Sequence, residues 1–150
     1  MIKPIGVAHV NLNVTDLERA IRFYTEILGF RIAFQYEGAI AWLNFGQYRD
    51  GIAGLGEAFH DLALYKVPHP APEDHRKRAG MNHVAFRLRT PEEVDQAAEY
   101  LEANGVEILK GPLTHKEDGD HYLYFEDPDG NMIELVASTV EGWPDRFLGR

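Results

Sequence analysis

Glu134 is the residue whose type is least expected from its surroundings. Residues 127–130, Asp-Pro-Asp-Gly, predict a turn, and the strand-like stretch that follows places Met132, Glu134 and Val136 on one face. A buried carboxylate without a partner is costly, so Glu134 needs either water or a cation. The chain has no cysteine, so a metal ion would have to be held by nitrogen and oxygen ligands. If Glu134 binds a metal ion, histidines are therefore the expected partner ligands.

Two of the histidines occupy equivalent places in an internal repeat. Aligning residues 6–14 (GVAHVNLNV) with residues 80–88 (GMNHVAFRL) pairs glycine with glycine and His9 with His83. The same alignment places His60 at the position of Glu134. If the two copies pair around an approximate two-fold axis, these four coordinating side chains converge on one point.

The repeat predicts the elements that position these side chains. Each histidine lies in a predicted strand, with apolar neighbours such as Leu12 and Val84 on one face and the histidine on the other. A helical pattern follows each strand, capped by Thr15 or Asp16 in the first copy and by Thr90 with Pro91 in the second. Glycines end the helices and three strand-like segments follow each one. These segments are residues 31–36, 39–45 and 59–67, then 106–110, 121–126 and 131–137.

Two βαβββ modules are therefore predicted in a single α+β domain spanning residues 1–150. We place module one at about residues 5–67, a surface linker at about 68–79, module two at about 80–137 and a C-terminal tail at 138–150.

Composition limits the class of protein. The chain has 150 residues, 45% of them hydrophobic and 26% charged, which suits one soluble domain with its own core. The net charge of -9 argues against sequence-independent binding of nucleic acid. No apolar run predicts a membrane span or a signal peptide, so we expect a cytoplasmic protein.

With these residues in place, the sequence from Ile5 to Ala137 resembles the vicinal oxygen chelate superfamily. That resemblance implies paired βαβββ modules that form a curved mixed sheet around a divalent metal, with His9, His83 and Glu134 as a two-histidine, one-carboxylate ligand set. Such a set leaves open positions on one side of the metal and is typical of non-haem Fe(II) oxygenases, although Mn(II) also fits.

The stretch LTHKEDGDHYLYFEDPDGNMIE further resembles the signature of the type I extradiol ring-cleaving dioxygenases. It contains His115 and Tyr124 ahead of the ligand Glu134, and departs from the usual form at Leu113. Residues 60–65, HDLALY, resemble the segment that carries the acid/base histidine of those enzymes, which is His60 here.

The activity that this resemblance implies is Fe(II)-dependent cleavage of a catechol-type ring by O2. His60 would be the catalytic acid/base, since imidazole titrates near neutral pH. Tyr124 would hydrogen-bond an oxygen of the substrate, and His115 would support the site or its entrance.

Other chemistries of the superfamily stay open. A glyoxalase-like or fosfomycin-resistance-like lyase, isomerase or transferase would use Mn, Zn or Ni as a Lewis acid, and His60 would then be a fourth ligand. A bleomycin-resistance-type binding module would hold no metal, but such modules usually lack the three ligands. Many extradiol enzymes also carry an additional N-terminal pair of modules, which this sequence does not contain.

The substrate pocket and the assembly are less defined by sequence. Aromatic residues expected to line the pocket are Trp42, Phe45, Tyr48 and Phe59. The tail carries Trp143, Pro144 and Phe147, which would cover the pocket mouth, enter a subunit interface or pack on their own domain. We expect a homodimer or a higher homo-oligomer, and modules exchanged between chains would fit the same ligand set.

Overall fold

Two four-stranded mixed sheets carry the residues singled out by the sequence. The protein is represented by a computed structural model that describes residues 1–36, 38–47 and 59–143. Contacts divide the chain into a first unit, residues 1–78 with 127–130, and a second unit, residues 79–126 with 131–150. The strands are β1 (Val10–Val14), β2 (Arg31–Tyr36), β3 (Ile40–Asn44), β4 (Leu62–Lys66), β5 (Val84–Arg87), β6 (Ile108–Thr114), β7 (Asp120–Glu126) and β8 (Met132–Ser138), and the α-helices are α1 (Leu17–Arg22) and α2 (Pro91–Ala103).

The first unit has the strand order β1-β4-β3-β2, with β1 parallel to β4 and the other pairs antiparallel. One face of this sheet is apolar and packs under α1, because Leu12, Leu43 and Leu64 alternate inward and are fully buried. Burying each such leucine contributes about 2 kcal/mol. Asp16 begins α1 by accepting a hydrogen bond from the Arg19 backbone N–H.

The second unit repeats this arrangement with the order β5-β8-β7-β6, in which β5 and β8 are parallel. The helix α2 packs on the face where Leu123, Phe125 and Ile133 are fully buried. Thr90 caps α2 by accepting from the Glu93 N–H, with Pro91 at its first position. The predicted α+β fold of two βαβββ modules is confirmed, as two sheets of four strands each.

Several boundaries differ from the sequence prediction. The strands β1 and β5 begin one residue after His9 and His83, because ladder pairing starts only at Val10 with Leu62 and at Val84 with Ile133. Both histidines therefore precede their strands. His60 likewise precedes β4, which was expected to begin at residue 59.

Two further differences come from local irregularity. β6 continues through Gly111 and Pro112 to Thr114, because register shifts absorb the break that glycine and proline would otherwise impose. The first predicted helix changes from α to π geometry over Phe23–Ile27. The predicted linker contains one short 3-10 helix, His75–Lys77.

No helix among the residues covered by the structure is both long and apolar enough to span a membrane.

Candidate metal and catalytic site

Glu134 lies in the middle of β8, opposite Tyr124 on β7 and Ala85 on β5. Glu134 is only 7% exposed to solvent. The carboxylate Oε2 lies 2.9 Å from Nε2 of His83, and the Glu134 carboxylate also accepts a hydrogen bond from the Tyr124 side chain. The carboxylate that looked misplaced in the sequence therefore has two polar partners within its own unit.

His83 is held from both sides of its ring. Its Nδ1 donates to Oδ1 of Asn82 at 2.8 Å, while Nε2 faces Glu134. The ring also meets Tyr124 edge to face, with 5.1 Å between ring centroids. Metal-binding imidazoles are commonly oriented in this way, with one nitrogen bonded to an oxygen and the other directed at the ligand position. We call Asn82, His83, Tyr124 and Glu134 the polar cluster.

Tyr124 remains a neutral phenol over a wide pH range. Partial burial, followed by the charge of Glu134 and the hydrogen bond to it, raises the pKa of Tyr124 to about 12. A phenol that keeps its proton can donate a hydrogen bond to an oxygen atom, whereas a phenolate could only accept one.

His115 joins the polar cluster through another aromatic ring. It follows β6 and stacks on Tyr122 with 4.0 Å between centroids, and Tyr122 in turn meets Tyr124 edge to face at 5.3 Å. The ammonium group of Lys110 lies 5.3 Å from the centre of the same Tyr122 ring. Nothing in the sequence singled out Tyr122, since an aromatic residue in a half-buried strand is ordinary.

The first unit brings His9 and His60 together. Their ring centroids are 4.6 Å apart. The His60 ring also stacks on Trp42, with 4.5 Å between centroids and 12° between the planes. Phe34, opposite Trp42 on β2, extends the series at 4.9 Å. We call Phe34, Trp42, His60 and His9 the ring stack.

The donor set suits a divalent metal only in part. His83 and Glu134 already direct one nitrogen and one oxygen at each other across 2.9 Å, which is chemically appropriate for Fe(II), Mn(II) or Zn(II). Among the residues that the structure describes, no group of three or more His, Cys, Asp or Glu side chains is close enough to hold a metal ion. His9 as the third ligand stays a prediction.

The turn before β8 is anchored by residues that sequence reasoning did not identify. Tyr24 is fully buried and donates its hydroxyl to Oδ2 of Asp127 at 3.0 Å; this burial and Asp127 raise the pKa of Tyr24 well above its usual value. Asp129 accepts from the Thr15 backbone N–H at 2.8 Å and pairs with Arg19 at 3.1 Å. Turn type was predictable, but these partners are distant in sequence.

The remaining candidates have separate outcomes. Phe45 and Phe59 are half exposed, and Phe45 packs against Phe30 at 4.7 Å. Tyr48, Pro144 and Phe147 lie outside the described residues. Trp143 is placed with its ring 5.6 Å from the Arg87 guanidinium.

Comparisons with known proteins agree with this fold. The family model described as the Glyoxalase/Bleomycin resistance protein/Dioxygenase superfamily matches residues 6–135. This chain is 34% identical to the uncharacterized protein YqjT of Bacillus subtilis (strain 168), and the alignment covers 87% of this chain and 98% of YqjT. It is 31% identical to the 2-epi-5-epi-valiolone epimerase of Actinomyces sp., covering 87% of this chain and 79% of the epimerase.

A ring-cleaving enzyme and a solved structure extend the range of relatives. The biphenyl-2,3-diol 1,2-dioxygenase 2 of Rhodococcus globerulus is 28% identical over 85% of this chain, which spans 60% of that enzyme. The crystal structure of a glyoxalase/dioxygenase from Nostoc punctiforme superposes with a TM-score of 0.71 at 25% identity, covering 93% of this chain and 97% of the other. The chain therefore belongs to the glyoxalase/bleomycin resistance protein/dioxygenase superfamily.

Proposed function

We propose that this protein is an Fe(II)-dependent extradiol dioxygenase that opens a catechol-type ring with O2. The observation that carries the proposal is the polar cluster, in which a protonated phenol lies beside an imidazole and a buried carboxylate that face each other at 2.9 Å. The ligands would be His83, Glu134 and His9, with Mn(II) as the other metal that suits this set. When bound, Fe(II) on such ligands supplies open positions for the two adjacent oxygens of a catechol and the redox chemistry that O2 requires.

The side chains of the chain itself would orient the substrate and move protons. Tyr124 would donate its hydroxyl to a substrate oxygen, a role that its raised pKa suits because the proton stays on the phenol. His115 would support Tyr124 indirectly, by stacking on Tyr122.

His60 would act as the general acid/base. Its imidazole would accept a proton from a catechol hydroxyl and return it to an oxygen of the product. Its ring lies against that of His9, a proposed ligand, so the proton carrier would be next to a ligand.

A second candidate function is a metal-dependent isomerase, epimerase or lyase. The observation that favours it is the epimerase relative, of which this chain spans 79%, compared with 60% of the dioxygenase. In that case His60 would be a fourth ligand or would move a proton at a carbon next to a carbonyl, and O2 would not take part.

Oxygen consumption separates the two candidates. The protein would be loaded with Fe(II) without air, then mixed with simple, alkyl, aryl and carboxylated catechols in aerated buffer. We expect O2 uptake in step with a yellow ring-opened product, and no uptake by His83→Ala treated identically. Absence of uptake with every catechol, together with a preference for Mn, Zn or Ni and deuterium exchange next to a substrate carbonyl, would support the second candidate.

The assembly is a further part of the proposal. Members of the superfamily commonly form homo-oligomers and act on small substrates, and we propose a homodimer or a higher homo-oligomer here. Light scattering after size-exclusion chromatography tests it, with a mass of at least twice 17.0 kDa expected.

A further inference from the structure

The imidazole of His60 is held by aromatic faces in the first unit. The Trp42 indole stacks nearly parallel to the His60 ring, with 4.5 Å between ring centroids. The centroid of the His9 ring lies 4.6 Å from that of His60, and the two planes are tilted by 31°. Phe34 packs on Trp42 at 4.9 Å. An imidazole packed in this way has a defined plane.

The backbone on either side of His60 is also fixed. Nδ2 of Asn44 donates to the Phe59 carbonyl at 2.9 Å, and the Asp61 N–H donates to the Leu43 carbonyl at 2.9 Å. The Val10 N–H in turn donates to the Asp61 carbonyl at 3.0 Å. The main chain is therefore anchored on both sides of His60, and the contacts of its ring act on a side chain whose backbone is fixed.

Trp42 is well placed to set that orientation. It lies within β3, between Phe34 on β2 and the small, fully buried Ala63 on β4. Stacking uses the faces of an imidazole, whereas its two nitrogens lie on the ring edge. A stacked histidine can therefore be held in one plane while its nitrogens exchange protons.

We infer that Trp42 is a positioning residue that holds the His60 imidazole in the plane required for proton transfer. This inference rests on the proposed function, because it takes His60 as the acid/base. Trp42 itself would not touch the reacting atoms. Its contribution would be to turnover rather than to metal binding, since misplacing a catalytic group by about 1 Å costs up to about 100-fold in rate.

The test compares Trp42→Leu, which removes the flat ring, with Trp42→Phe, which keeps a smaller one. Tyr65→Leu is the matched control, because Tyr65 is an aromatic residue of β4 outside the ring stack. Circular dichroism and thermal unfolding establish that each variant is folded. The first readout is the NMR shift of the His60 ring protons in the metal-free protein, which the indole moves upfield in the wild type.

We expect Trp42→Leu to lose this upfield shift and to lower kcat about tenfold, with bound metal within about twofold of the wild type. Trp42→Phe should recover most of both effects, and Tyr65→Leu should change neither. Unchanged His60 shifts in Trp42→Leu would overturn the inference. So would an equal loss of kcat in Trp42→Leu and Tyr65→Leu, or a loss that Trp42→Phe does not rescue.

His60→Ala separates a failure of this inference from a failure of the proposed function. If His60→Ala keeps full turnover, the acid/base assignment is wrong and Trp42 has no catalytic group to position. If His60→Ala abolishes turnover but Trp42→Leu does not lower it, only the role of Trp42 is wrong. The NMR shift reports on the stacking itself without any substrate.

Discussion

The two units use different forces to hold side chains at equivalent places in the repeat. In the first unit, His9 and His60 meet through ring faces and His60 stacks on Trp42. In the second unit, His83 and Glu134 meet through a nitrogen and an oxygen at 2.9 Å. The two copies of the repeat therefore place polar side chains at equivalent positions, but the interactions of those side chains differ.

Under the proposed function, this difference would give His83 and His60 separate tasks. Contacts of its nitrogens with the oxygens of Asn82 and Glu134 direct His83, which suits a fixed ligand. Stacking sets the plane of His60 through its faces, which suits a group that carries protons. Substitutions around His83 and substitutions around His60 should then affect different measurements.

The largest expected effect is the loss of metal from Glu134→Gln. The amide has the shape of the carboxylate without its charge, so the polar cluster would lose its buried anion and, with it, the proposed carboxylate ligand. Metal content after dialysis should fall to that of the unloaded protein. His115→Ala is the control and should keep its metal; equal metal content in the two variants would contradict the assignment.

His60→Ala should have the next largest effect, and on turnover alone. Loss of a general acid/base lowers rates by about 100- to 10,000-fold, while the proposed ligands stay in place. Steady-state kinetics and metal analysis on the same sample test this. If His60→Ala loses its metal while Glu134→Gln keeps it, the roles assigned to His60 and Glu134 are wrong.

Asn82→Ala should weaken metal binding without removing it. Partners that orient a ligating histidine typically contribute about 10- to 100-fold in affinity, and Asn82 is the partner of His83 Nδ1. Titration calorimetry with Mn(II) measures the change. Asn82→Asp keeps an oxygen at this position and should bind the metal at least as well as the wild type, so equal weakening in both variants would count against orientation by Asn82.

The smallest expected effect concerns alkaline stability. The folded-state pKa of Tyr124, about 12, is raised above the unfolded value of about 10, so its contribution to stability is complete below pH 10. It is lost as the pH rises from about 10 to about 12, because the unfolded chain ionises first. The free energy of unfolding should therefore fall less steeply across that window in Tyr124→Phe. If the free energy of unfolding falls with pH at the same slope in the wild type and in Tyr124→Phe, the pKa of Tyr124 is not raised by folding.

Much of the fold was accessible from the sequence because it depends on local patterns. Alternating apolar residues predicted most of the strands, and the caps Asp16 and Thr90 marked both helix starts. Strand ends were less predictable. They depend on where a partner strand begins, so His9, His60 and His83 lie before strands that were expected to contain them.

The candidate site was predictable in residue type more than in arrangement. Sequence singled out His83, Glu134 and Tyr124, which the structure brings together. It missed Asn82, although this residue directly precedes His83, because an asparagine there has no periodic or motif signal. It also missed the bond from Tyr24 to Asp127, which joins residues far apart in the chain.

The sequence by itself determined the two βαβββ modules, the absence of thiolate ligands and the set of histidines and carboxylates available for chemistry, since these follow from composition and short-range periodicity. Only the tertiary structure decided which side chains share contacts: His60 with Trp42 and His9, and His83 with Asn82 and Glu134. The physical reason is that ring stacking and hydrogen bonding act over a few ångströms between residues on different strands and loops, and their pairing is fixed by strand register rather than by sequence separation.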